Sequence, residues 1–71
     1  MNKYEINIFW SIEDRCFVAE VPELPGCAAH GETQEEALGN AKEAIALWID
    51  TANQNGRPVP EPKGRGLTIA K

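Results

Sequence analysis

The feature that most restricts the fold of this chain is one amphipathic helix whose two ends are both written in the sequence. Leu38, Ala41, Ile45, Trp48 and Ala52 recur at spacings of 3, 4, 3 and 4, which puts them on one helical stripe. Ala37, Ala44 and Ile49 flank that stripe. Upstream, Thr33-Gln34-Glu35-Glu36 fits a capping box: Thr33 at the N-cap and Glu36 three residues later can satisfy orphan N–H groups reciprocally. Glu35 and Glu36 also suit the positive end of the helix dipole. Downstream, Gly56 is a good residue to follow the C-cap, and Pro58 prevents continuation. The helix is predicted from Gln34 to about Asn55, with Gly39 costing about 1 kcal/mol relative to alanine near its start.

The other elements must pack against this helix, because 71 residues hold one domain. Residues 3–12 alternate, with Tyr4, Ile6, Ile8, Trp10 and Ile12 pointing one way, which predicts a strand with one buried face. Glu13-Asp14-Arg15 breaks the pattern and reads as a turn. The segment Cys16-Phe-Val-Ala-Glu-Val21 is rich in strand formers and reads as the return strand of a hairpin. There is no Asn-Gly or Asp-Gly, so a longer or bulged turn is expected. Pro22 and Pro25 withdraw two N–H donors, so Pro22-Glu-Leu-Pro-Gly26 cannot be an inner strand. Residues 27–30, Cys-Ala-Ala-His, are expected to form a short third strand whose small side chains let the helix approach. The predicted class is α+β: a three-stranded antiparallel sheet packed on one long helix, in the order β-β-β-α. Leu67-Thr68-Ile69 is apolar enough to add a short terminal strand. The predicted division is a sheet-and-helix domain over 1–56 and a Pro/Gly-rich basic tail over 57–71.

One helix covers only one face of such a sheet. Phe9 opposes the isoleucine row, Phe17 and Val18 point opposite ways, and Leu47 lies about 180° from Leu38 around the helix. A domain of this size buries only about 60% of its unfolded surface and is marginal alone. Surplus apolar surface usually marks interaction. Self-association into a homodimer or higher oligomer is therefore expected, with Phe9, Leu47, Leu67 and Ile69 as the contacts.

Charge narrows the choice of partner. Residues 1–56 carry ten acids against Lys3, Arg15 and Lys42, whereas residues 57–71 carry four cations against Glu61, for a total of −4. An acidic body disfavours nucleic acid, since phosphate contacts need clustered Lys or Arg. It suits a basic protein. Only one helix is visible, so neither helix-turn-helix nor ribbon-helix-helix reading of DNA is available. There is no apolar run near the ~20 residues of a membrane span and no signal peptide, which predicts a cytoplasmic protein. Two cysteines are too few for a disulfide framework.

Chemistry has few candidates. Cys16, Cys27 and His30 could supply three metal ligands, but their spacings do not match a paired knuckle and a fourth ligand is missing. The carboxylates have simpler assignments in a turn, at the helix start or on a polar helix face. No phosphate-cradling or nucleophile motif is present. The expectation is a binding protein, not an enzyme, with no catalytic residue, cofactor or metal.

The run Phe17-Val-Ala-Glu-Val-Pro-Glu-Leu-Pro-Gly-Cys27 resembles the hallmark segment of HicB-type antitoxins. Gly31-Glu-Thr-Gln-Glu-Glu-Ala-Leu38 resembles the family's capped helix start, and Gly56-Arg-Pro-Val-Pro-Glu-Pro62 its ending. The likeness spans residues 4–62. It implies a partial ribonuclease-H-like fold without nuclease activity, and binding to a small HicA-type mRNA-cutting toxin whose active site is covered. It also implies dimers or higher oligomers. Full-length members add a DNA-binding domain, whereas this sequence stops at Lys71, so the expectation is the toxin-binding module alone. Arg15-Cys16 stands where the family often has glycines.

On this reading the partner surface is acidic: Glu23 and Leu24 in the loop, and Glu32, Glu35 and Glu36 at the helix start. Pro22, Pro25, Gly26 and Thr33 are expected to be structural. The alternative is a stand-alone oligomeric domain that binds another protein or a small ligand.

Overall fold

The computed structural model describes residues 3–64 and 67–69. Arg65 and Lys71, two of the expected tail cations, lie outside the described residues. The elements are β1 (Ile6–Ser11), β2 (Cys16–Glu20), β3 (Ala28–Gly31), α1 (Gln34–Gln54) and β4 (Leu67–Ile69). They form one helix on a four-stranded sheet of order β3-β2-β1-β4. The three antiparallel strands and the long helix stand as expected. The terminal strand is present too, and it makes the sheet mixed: β4 runs parallel to β1, with Ile6 opposite Leu67 and Ile8 opposite Ile69. A parallel neighbour needs a long crossover, and α1 with the tail supplies it.

The hairpin turn is the longer kind. Arg15 closes it, donating its N–H to the Ser11 carbonyl at 2.8 Å with φ at 53°. That left-handed conformation is one glycine adopts without steric cost, and here Arg15 holds it.

Both helix ends follow the local code. Thr33 has extended φ and ψ and its hydroxyl accepts from the Glu36 N–H at 3.0 Å. The Glu36 carboxylate accepts from the N–H of Glu32, one residue before the cap, also at 3.0 Å. At the other end Gly56, with φ at 68°, lets Arg57 donate to the Ala52 carbonyl at 2.8 Å and Gly56 to Asn53 at 3.3 Å. This pair of bonds is the Schellman closure.

Helix and sheet meet backbone to backbone at Gly31. A Cβ built there would lie 2.4 Å from the Ala37 nitrogen and 2.9 Å from the Glu36 carbonyl carbon. The small residues of β3 do admit the helix, but the decisive one is this glycine. From Gly31 the helix runs diagonally to the start of β1, where Ile45 and Ile49 share a groove with Tyr4. The core beneath holds Tyr4, Ile6, Ile8, Ala19, Val21 and Leu24 against Ala37, Ala41 and Ile45.

The expected β1 row is buried only in its first half. Trp10 is 51% exposed and Ile12 83%. Trp10 pairs with Phe17 and Phe17 with Gly31 in one cross-strand row. The helix enters that row over Gly31, at the far edge, and among the described residues no element covers Trp10. Ile12 has left the strand and sits in the turn.

Candidate protein-binding surface

The loop from Val21 to Cys27 is built inward. Val21 donates to the Cys27 carbonyl at 3.0 Å, Leu24 to Val21 at 3.1 Å and Cys27 to Leu24 at 3.0 Å. These bonds fold the loop over its own Leu24, which is fully buried. The Pro25 carbonyl accepts from the Trp48 indole at 2.9 Å, fastening the loop to the helix. Leu24, expected on the partner surface, therefore has no surface to offer. The reason is physical: with Pro22 and Pro25 excluded from any ladder, the loop is held by its apolar centre. Pro25 and Gly26 occupy the structural positions expected of them, Gly26 at φ 80°.

Glu23 is turned to an internal task as well. One carboxylate oxygen accepts from the Glu5 N–H at 2.6 Å and the other from the Lys63 N–H at 2.8 Å. The side chain thus ties the loop, the approach to β1 and the tail together. The Tyr4 hydroxyl donates to the Pro60 carbonyl, and Val59 packs against the core. Residues 57–64 are strapped to the domain by these contacts.

The three acids at the helix start are placed differently. Glu32, Glu35 and Glu36 are all exposed, side by side around the cap. They stand beside the hairpin turn that carries Glu13 and Asp14, because β1 ends, β2 begins and β3 ends at the same end of the sheet. Five carboxylates thus gather at this end, with Arg15 the cation of the turn.

The residues expected to mediate self-association fall on separate surfaces. Phe9 lies on the sheet face away from the helix, in a row with Val18 and His30. Leu47 is 67% exposed beside the β3 edge, bordering a groove of about 350 Å³ with Ala28 and Arg57. Leu67 and Ile69 are exposed on β4, the opposite edge. The residues expected inside that prove to be surface are Trp10 and Ile12; the Trp10 ring meets that of half-buried Phe17 edge to face at 5.1 Å. Strand alternation alone put Trp10 inside, and only the helix crossing reveals otherwise.

The cysteines and the histidine do not converge. Cys27 is buried in the core and burial pushes its thiol above the ordinary value of 9.0. Cys16 and His30 lie on the uncovered sheet face. Among the described residues no three His, Cys, Asp or Glu side chains could hold a metal ion together, and no helix is long and apolar enough to cross a membrane. A second groove, about 560 Å³, opens between Tyr4, Ile45 and Ile49 with Lys3 and Lys42 on its border. Two of the three cations of residues 1–56 are therefore at this groove, away from the acidic hairpin end.

Comparison with known proteins adds the family. Residues 4–69 match the family described as HicB-like antitoxin of bacterial toxin-antitoxin system. The chain belongs to this HicB-like antitoxin family. A UPF0150 protein of Thermoplasma acidophilum is 37% identical over 67 residues, covering 94% of this chain and 96% of that protein. A UPF0150 protein of Synechocystis is 46% identical over 44 residues, 62% of this chain and 60% of that one. A 14.9 kDa protein of Haemophilus phage HP1 is 40% identical over 45 residues, which are 63% of this chain but 34% of the phage protein. No solved structure matches. The motifs at residues 17–27 and 31–38, which suggested the family, are the loop folded over Leu24 and the helix entry over Gly31.

Proposed function

We propose that this HicB-like chain binds a HicA-type mRNA-cutting toxin and silences it by occlusion, acting by stoichiometric binding and not by catalysis. Family membership carries this reading, and the exposed acids at the hairpin end support it. A protein that holds RNA needs a basic groove. Glu32, Glu35 and Glu36 offer that groove a competing negative surface, which speeds encounter and excludes RNA. The test is co-expression with the small open reading frame beside its gene. Growth should be restored and the two chains should purify together. Continued toxicity with no co-purifying chain would end this reading.

Self-association is favoured by a separate observation. Leu47, Leu67 and Ile69 are large, apolar and exposed on opposite edges of a domain with a small core. Sedimentation at micromolar concentration should show a homodimer or larger species, and a well-folded monomer would remove the proposal.

A further inference from the structure

We infer that the hairpin end of the molecule is a docking surface with an aromatic centre, on which Trp10 anchors a basic protein partner. This rests on the toxin-binding reading and specifies where and how the contact is made. Trp10 and Phe17 form the apolar middle, and exposed Ile12 follows in the adjoining turn. Trp10 and Phe17 are cross-strand partners on the helix side of the sheet, their rings touch, and the diagonal helix leaves Trp10 open. At the same end of the sheet are Glu13, Asp14 and one cation, Arg15, in the turn and Glu32, Glu35 and Glu36 at the helix start, all exposed.

The chemistry of this surface names its partner. Tryptophan is among the residue types enriched where a few side chains dominate binding energy, surrounded by weaker contacts that exclude water. Its face also attracts an arginine guanidinium, more strongly once water is removed. Five carboxylates beside an open indole therefore fit a surface that presents arginine or lysine together with an apolar side chain. Nucleic acid does not fit, since phosphates would meet like charge. No carboxylate lines the groove that Leu47 borders, which contains Arg57, or the groove bordered by Lys3 and Lys42.

Two measurements decide the matter. In the first, affinity for the toxin recovered by co-expression is compared for the wild type, Trp10→Ala, Glu35→Gln and Glu43→Gln, each checked for folding by its amide spectrum. Trp10→Ala should weaken binding at least ~10-fold. Glu35→Gln should slow association and flatten its salt dependence, and Glu43→Gln, on the exposed helix surface, should do neither. Wild-type affinity in Trp10→Ala overturns the inference and leaves the toxin-binding reading standing. In the second, the protein is titrated with a synthetic peptide of alternating arginine and leucine while its two indole N–H resonances are followed. The Trp10 signal should move saturably and the Trp48 signal, tied to Pro25, should not. Movement of Trp48 alone, or of neither, overturns the inference. If no toxin is recovered but the peptide moves Trp10, the toxin reading fails and the docking surface stands.

Discussion

At Gly31 a missing side chain sets the distance between the two layers of the fold. Backbone atoms of Glu36 and Ala37 fill the place a Cβ would take, and backbone cannot rotate aside as a flexible side chain can. Gly31→Ala should destabilise the domain by about 3 kcal/mol, the upper part of the range for overpacking, measurable by urea unfolding. The two cysteines give a second contrast. Cys27 is buried with its thiol pushed above 9.0, whereas Cys16 is half-exposed. Alkylation at pH 8 should modify Cys16 first, with Cys27 following only as the protein opens. The raised value of Cys27 favours the neutral thiol in the folded state. Its contribution to stability is complete below pH 9 and is lost as pH rises through the folded-state value. Cys27→Ser should flatten that alkaline loss, and an unchanged slope would assign it to other groups.

The helix is the element whose local sequence says most. Its cap, its stripe and its stop are each visible as residue types at fixed offsets, and the structure starts it at Gln34 and ends it at Gln54. Thr33→Ala removes the hydroxyl that accepts from Glu36 and should cost about 1 kcal/mol, read as a fall in melting temperature. Gly39 is exposed, and a Cβ there would meet nothing within 4 Å. Gly39→Ala should therefore raise stability by up to about 1 kcal/mol; a fall would show that the helix needs a glycine there. Strand β1 was less legible. Its alternation put Tyr4, Ile6, Ile8, Trp10 and Ile12 on one face; that holds for Ile6, Ile8 and Trp10 within β1, while Ile12 falls in the turn, and a period of two says nothing about how far a covering helix extends. Whether Trp10 is core or surface depends on where α1 lies over the sheet, and its first turn packs on Gly31, two strands away from Trp10.

At the scale of the whole molecule, the tail and the Pro22–Gly26 loop complete the fold together. Glu23 accepts one backbone N–H from the approach to β1 and one from the tail that leads to β4. Glu23→Ala should cost about 2 kcal/mol for two bonds to a charged acceptor. It should also speed hydrogen exchange at the paired amides of β1 and β4 ahead of those in β2 and β3, and uniform exchange would count against the clasp. Local residue patterns were enough for the element order, the helix limits, the hairpin and the acidic helix start. Each depends on neighbours within a few residues, through periodicity, capping or proline and glycine geometry. That Leu24 is core, Glu23 a clasp and Trp10 surface follows from long-range packing alone. Those outcomes depend on groups 18 and 40 residues from Glu23 and on where a helix crosses a sheet, distances at which no local pattern carries information.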